Sequence, residues 1–171
     1  MKTAGISVID FAIRAERDGA AFYAAAADKA KDENLKGFLL SLARDEKKHE
    51  GQFIALKERI AKTGQSGYFA SAEVDDYLDA VIRGGLFEAA SALPGADYEP
   101  ELIGDFYRIA IRAERSSILL YQALLDAATE KGLKRALAAM LSEEKSHLTR
   151  IVAQRADRDN LFAIERFGCM C

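Results

Sequence analysis

Two E-x-x-H motifs hold the only histidines of this chain: Glu46 with His49 in RDEKKHE, and Glu144 with His147 in SEEKSHL. A glutamate and a histidine at i and i+3 project from one helix face, so each motif aims a carboxylate and an imidazole at the same point. Two more glutamates, Glu16 and Glu114, stand inside the hexapeptide AIRAER, which occurs at 12–17 and again at 110–115. Four carboxylates buried without compensation would cost several kcal/mol each. Two divalent cations would balance their four charges, and each E-x-x-H adds one nitrogen ligand. Mixed carboxylate and imidazole ligation suits Fe, Mn or Zn, and the ligand types alone do not choose among them.

These residues recur in a measurable repeat. Residues 12–51 align without a gap on 110–149 with 16 identities in 40. The matches include Glu16 with Glu114, Tyr23 with Tyr121, Glu46 with Glu144 and His49 with His147. Alanine-rich helices matched by chance would agree mostly at Ala and Leu. A tyrosine, two glutamate positions and a histidine mark one unit used twice.

The elements that must position these groups follow from the 3.6-residue periodicity. It predicts helices over about 7–31, 34–63, 71–92, 99–130 and 133–158, with KDEN (31–34) and TEKG (129–132) as tight connections. Pro94 and Pro100 are the only prolines, so the chain on either side of them is free to be helical. In an antiparallel helical hairpin, residues equidistant from the turn lie at one height. Glu16 and Glu46 are centred on residue 31, and Glu114 and Glu144 on residue 129. Each AIRAER glutamate is therefore level with an E-x-x-H glutamate, about 22 Å from its turn. An E-x-x-H on a charged helix is commonly solvated. Here Leu42, Glu46, His49 and Phe53 form one stripe, and Leu137, Leu141, Glu144, His147 and Ile151 form another. Both have the spacing of a core-facing seam.

Segment 64–98 is too long for a simple hairpin turn. It suits a crossover that returns along the bundle and leaves the third bundle helix parallel to the second, a span of about 48 Å. Such a connection could equally hand a hairpin to a second subunit. At 171 residues with 50% apolar and 30% charged residues, the expectation is one domain over 1–171. It divides into repeat 1 (about 7–63), crossover (about 64–98), repeat 2 (about 99–158) and a C-terminal tail (159–171). Net charge is −3, with 24 basic and 27 acidic residues and no basic block, which argues against a nucleic-acid surface. There is no apolar run of signal-peptide or membrane-span type, so a cytoplasmic protein is expected. Cys169 and Cys171 are too close together for a disulfide framework.

The runs ERDGAAFY with LARDEKKH, and AIRAERSSILLY with LSEEKSH, resemble the rubrerythrin-like branch of the ferritin-like di-iron carboxylate superfamily, over roughly residues 7–155. The resemblance implies an all-α, ferritin-like four-helix bundle of two hairpins joined by a long crossover containing an extra helix. It also implies two Fe ions, with Mn or Zn as substitutes. The ligands carried over by position are Glu16, Glu46, His49, Glu114, Glu144 and His147, with Glu46 and Glu144 bridging and Glu16 and Glu114 terminal. Tyr23 and Tyr121 lie two turns beyond Glu16 and Glu114, and their phenols are expected to donate to ligand carboxylates across the pseudo-twofold axis. The small residues Gly19 and Gly51, matched by Ser117 and Thr149, are expected to let helices approach closely near the site.

The chain also departs from the resemblance. Full-length rubrerythrins carry two C-x-x-C pairs in a rubredoxin-like domain, and this chain ends in C-M-C. Peroxidase-type members have a further glutamate where Ser117 stands here. The implied activity is an oxidoreductase that reduces H2O2 or O2 with electrons from an external electron-transfer protein, in a homodimer that could be domain-swapped. The alternatives are a ferritin-like protein that oxidises and handles iron, a di-manganese catalase, and a non-catalytic bundle held together by its metals.

Overall fold

Alanine, leucine and charged residues, uninterrupted by proline, build four long helices: α1 (Ala4–Lys29), α2 (Glu33–Thr63), α3 (Pro100–Ala127) and α4 (Lys131–Phe167). The computed structural model describes residues 4–63 and 100–167, and every regular element among them is an α-helix. The expected crossover helix over 71–92, and Cys169 and Cys171, lie outside the described residues.

The helix ends follow local chemistry. Asp32 caps α2, its carboxylate accepting from the Leu35 amide at 2.7 Å, which satisfies one of the amides a helix start leaves open. Glu130 does the same for α4, accepting from the Gly132 and Leu133 amides at 2.7 and 2.6 Å. Pro100 opens α3, where its missing N–H leaves no bond unmade. One boundary corrects the sequence reading: α4 runs nine residues past Arg158, through most of the expected tail. No glycine or proline interrupts the chain between Gly132 and Gly168, and the Arg155–Asp159 ion pair at 3.6 Å supports the extension.

Packing sets the topology. Ile9 and Ile13 near the start of α1 cluster with Phe53 and Ile60 of α2, Leu120 and Leu124 of α3, and Leu133 and Leu137 of α4. A second cluster joins Phe22 and Ala27 of α1, Leu39 and Leu42 of α2, Phe106 and Ala110 of α3, and Ile151 of α4. The first cluster thus holds the start of α1, the end of α2, the end of α3 and the start of α4. Helices α1 and α4 point one way, and α2 and α3 the other. Helices α2 and α3 are thus parallel, the arrangement that the long segment 64–98 suits. Burial of each large aliphatic side chain contributes about 1.5–3 kcal/mol. No helix among the described residues is long and apolar enough to cross a membrane.

Candidate metal centre

Between the two apolar clusters lies a polar layer. Glu16 of α1, Glu46 and His49 of α2, Glu114 of α3, and Glu144 and His147 of α4 are each no more than 5% exposed. All six meet there. Glu16, Glu46, His49 and Glu144 each place a ligand atom within 4.8 Å of the others, and so do Glu46, Glu114, Glu144 and His147. Glu46 and Glu144 belong to both groups. Glu16 with His49, and Glu114 with His147, belong to one each. The equidistance of the carboxylates from the hairpin turns is thus realised in space.

Both imidazoles turn Nδ1 inward. His49 Nδ1 lies 2.9 Å from Glu144 Oε1 and 3.5 Å from Glu16 Oε2. His147 Nδ1 lies 3.3 Å from Glu46 Oε1 and 3.8 Å from Glu114 Oε2. The rings stack with centroids 6.0 Å apart. Each outer nitrogen reaches a carboxylate on the opposite hairpin. His49 Nε2 is 3.1 Å from Glu143 Oε2, and His147 Nε2 is 3.3 Å from Asp45 Oδ2. Glu143 is held in turn by Lys48 at 2.8 Å, and Asp45 lies 3.8 Å from Arg150. A proton on Nε2, donated outward, leaves the Nδ1 lone pair facing the cluster.

Over residues 7–154 the chain matches the family described as Rubrerythrin. The chain belongs to the rubrerythrin family. The fold agrees. A ferritin-like diiron-carboxylate protein from Thermotoga maritima superposes with a TM-score of 0.66 at 20% identity, covering 92% of this chain and 97% of that one. No curated protein sequence matches the chain.

The donor atoms of this rubrerythrin-family bundle fit metal ions on a direct structural test. Buried groups are ordinarily hydrogen-bonded. Here both Glu16 oxygens, Glu114 Oε2, Glu144 Oε1, His49 Nδ1 and His147 Nδ1 are all buried without a hydrogen-bond partner. Six orphaned donor atoms, four of them carboxylate oxygens, converge on one layer. Electrostatics agrees. Burial pushes the carboxyls of Glu16, Glu46 and Glu114 well above the usual range. Neighbouring charges add to this, from Glu144 and Glu50 on Glu16 and from Glu16 and Glu144 on Glu46. Burial alone would lower both histidines. The carboxylates beside them, first Glu144 for His49 and Glu46 for His147, raise them instead. Without metal, protons must supply part of the missing positive charge.

The two tyrosines part company. Tyr23 donates to Glu114 Oε1 across the two hairpins, and burial pushes its phenol well up, with the Glu114 charge second. The Tyr121 hydroxyl is buried with no hydrogen-bond partner, so the twofold pair expected from the repeat exists on one side. The glycines also differ from expectation. A side chain at Gly19 would meet the Glu46 carboxylate at 3.6 Å, an ordinary contact. Gly51 is exposed, with nothing within 4 Å of where a Cβ would stand, so it permits no close approach.

Sequence reasoning missed three acids. Asp45 and Glu143 immediately precede the E-x-x-H glutamates, and an acid at the same position in both repeats was the available signal. The third is Glu50, 3% exposed, which accepts from Lys47 at 2.6 Å and Arg17 at 2.8 Å. Those bonds, Lys47 first, hold its carboxyl below the usual range, and its charge acts on Glu16. Its counterpart in the second repeat is Leu148, so the repeat carried no hint of it.

Proposed function

We propose that this protein is a di-iron oxidoreductase that reduces H2O2 or O2 with electrons from an external donor protein. The observation that carries the reading is the set of six orphaned donor atoms converging in a buried layer between two apolar clusters. Glu16, His49 and the shared Glu46 and Glu144 would hold one ion, and Glu114, His147 and the same shared pair the other. When bound, the ions supply the electrons and the Lewis acidity.

The remaining chemistry belongs to the chain. Glu143 and Asp45 fix the imidazole orientation through Nε2, and Tyr23 fixes the Glu114 carboxylate. Phe53, Leu137 and Leu141 on one side, and Phe22, Leu42 and Ala110 on the other, exclude bulk water from the layer. In that low dielectric the carboxylates favour the higher charge state of whatever cation they hold.

An anaerobic Fe(II) titration of metal-free protein tests the reading, followed by one equivalent of H2O2 and, separately, of O2. Saturation at two irons per chain is expected, with rapid oxidation by peroxide that a Glu46→Ala, Glu144→Ala variant lacks. Reduction by dithionite should restore the starting spectrum with all iron retained. Iron lost or accumulated over the cycle would mark an iron-handling protein instead. Zn bound in preference, with no reaction of iron, would mark a structural site.

A further inference from the structure

Tyr23 does more than bond Glu114: its ring opens a run of aromatic contacts that leads away from the polar layer. Phe22 meets the Tyr23 ring edge-on at 5.1 Å between centroids and stacks on Phe106 at 5.3 Å. Phe106 also lies 6.5 Å from Tyr23 directly, and 5.3 Å from Tyr107. All four spacings fall within the about 4.5–7 Å of rings in contact. None of the four residues is more than 4% exposed. The outer end of the run is different. The Arg158 guanidinium lies 5.8 Å from the Tyr107 ring centroid, on a side chain 35% exposed. The run therefore joins a carboxylate of the metal layer to a ring that is one side chain from solvent.

The repeat supplies an internal comparison. In the same register Phe22, Phe106 and Tyr107 correspond to Leu120, Val8 and Ile9, so the pseudo-twofold copy of the run is aliphatic. Tyr121, the counterpart of Tyr23, has a buried hydroxyl with no acceptor. A phenol that loses an electron becomes a strong acid, and inside a core it needs an acceptor in place to shed its proton. Tyr23 has that acceptor in Glu114. A phenylalanine ring is too hard to oxidise to hold an electron vacancy, but its contact couples the phenols on either side. The aromatic residues thus stand on the side where a phenol can give up an electron.

We propose that Tyr23, Phe106 and Tyr107 form an electron-transfer path along which the chain itself supplies electrons to the metal layer. Reduction of H2O2 to two waters takes two electrons, and a layer holding one Fe(II) supplies one. Tyr23 gives the second, its hydroxyl proton leaving along the bond to Glu114. In sum, H2O2, Fe(II), the Tyr23 phenol and one proton give Fe(III), the neutral Tyr23 radical and two waters. An electron then passes from Tyr107 through Phe106, and Tyr23 takes up one proton as Tyr107 releases one. A one-electron reductant of the ascorbate class restores Tyr107 from solution with an electron and a proton. The path rests on the proposed function for its oxidant and on the ring contacts for its existence.

Protein loaded with one Fe(II) and one redox-inert Zn(II) per chain would be mixed with H2O2 and freeze-quenched for electron paramagnetic resonance. A Tyr68→Phe, Tyr77→Phe, Tyr98→Phe background leaves Tyr23, Tyr107 and Tyr121. A second arm oxidises the metal-free protein of that background with photogenerated ruthenium(III) tris-bipyridine and needs no iron. In the iron arm a tyrosyl radical should form, persist in Tyr121→Phe and be lost in Tyr23→Phe. Ascorbate should quench it, and Tyr107→Phe or Phe106→Leu, which keep the bond to Glu114, should lose that quenching. In the photochemical arm Tyr107→Phe should lose the radical, and Tyr23→Phe should alter its hyperfine pattern. Iron oxidised with no radical, or a radical indifferent to Tyr23→Phe in either arm, would overturn the path. So would quenching that survives both Tyr107→Phe and Phe106→Leu, or a photochemical radical that survives Tyr107→Phe. Should iron prove inert to peroxide while the photochemical arm behaves as stated, the oxidoreductase reading fails and the aromatic path remains.

Discussion

Removing the metals should reverse the way stability responds to pH. In the metal-free protein Glu16, Glu46 and Glu114 have carboxyls raised well above their ordinary 4.5, and His49 and His147 are raised above 6.5. A raised group contributes stability that is fully present below its unfolded value and is lost as pH rises through its folded value. Between about pH 5 and 7 the folded protein therefore holds more protons than the unfolded chain, and stability must fall with rising pH. Each proton retained over one pH unit is worth about 1.4 kcal/mol. Each such unit is worth roughly 3–6 °C in Tm for a chain of this size. The histidines add to the loss above their unfolded value of 6.5. Glu50 and Glu143 are lowered, so their effect falls at acid pH, outside the window. Bound metal needs the deprotonated ligands and releases their protons, so its affinity climbs with pH. Saturation at a thousand times Kd adds about 4.1 kcal/mol. Calorimetric scans of metal-free and metal-loaded protein at about pH 5.5, 6.5 and 7.5 would show the first Tm falling and the gap to the second widening. A metal-free Tm that is flat or rises across this range would refute the argument that the carboxylates converge unpaired.

The remaining predictions concern single side chains. Asp45→Asn and Glu143→Gln each remove the carboxylate facing an imidazole Nε2, and each should weaken metal binding about 10–100-fold; chelator competition measures this, and unchanged affinities would deny those acids an orienting role. In metal-loaded protein Tyr23→Phe takes the donor from Glu114 and should cost about 1–3 kcal/mol, whereas Tyr121→Phe removes an unpartnered hydroxyl and should be neutral or stabilising; urea denaturation compares them, and equal losses would mean both hydroxyls are bonded. Phe53→Ala, at a site 1% exposed with its ring 5.4 Å from that of Tyr121, should cost about 3–5 kcal/mol. Leu119→Ala, 55% exposed, should change stability by no more than about 0.5 kcal/mol in the same assay.

What could be seen in the sequence, and what could not, divides along one physical line. Height along a helix is a matter of counting residues, so the level placement of Glu16 with Glu46 and of Glu114 with Glu144 was legible from the turns alone. The facing of Glu46 with His49 was legible for the same reason, since i and i+3 share a face. Contacts between hairpins are not a matter of counting. Asp45 and Glu143 each precede a site glutamate, about 100° around the helix from it, and look like ordinary solvated acids. Their role appears only when α2 and α4 lie side by side and each acid meets the histidine of the other hairpin. The α4 overrun was a misjudged stop: residues 159–167, DNLFAIERF, contain no residue that breaks a helix.

The asymmetry of the site lies beyond that line too. The repeat supplies matched ligands, and a matched pair of ligand sets would bind two equivalent ions. The surroundings differ on the two sides. Glu114 receives a hydroxyl from Tyr23, while Glu16 receives none and feels the charge of Glu50, an acid with no counterpart in the second repeat. A small cavity between α1 and α3 is lined by Glu114 and Tyr23. A centre whose two positions differ in hydrogen bonding and local charge would hold its two ions unequally. The cause lies in the residues around the repeated motif, where the two copies have diverged.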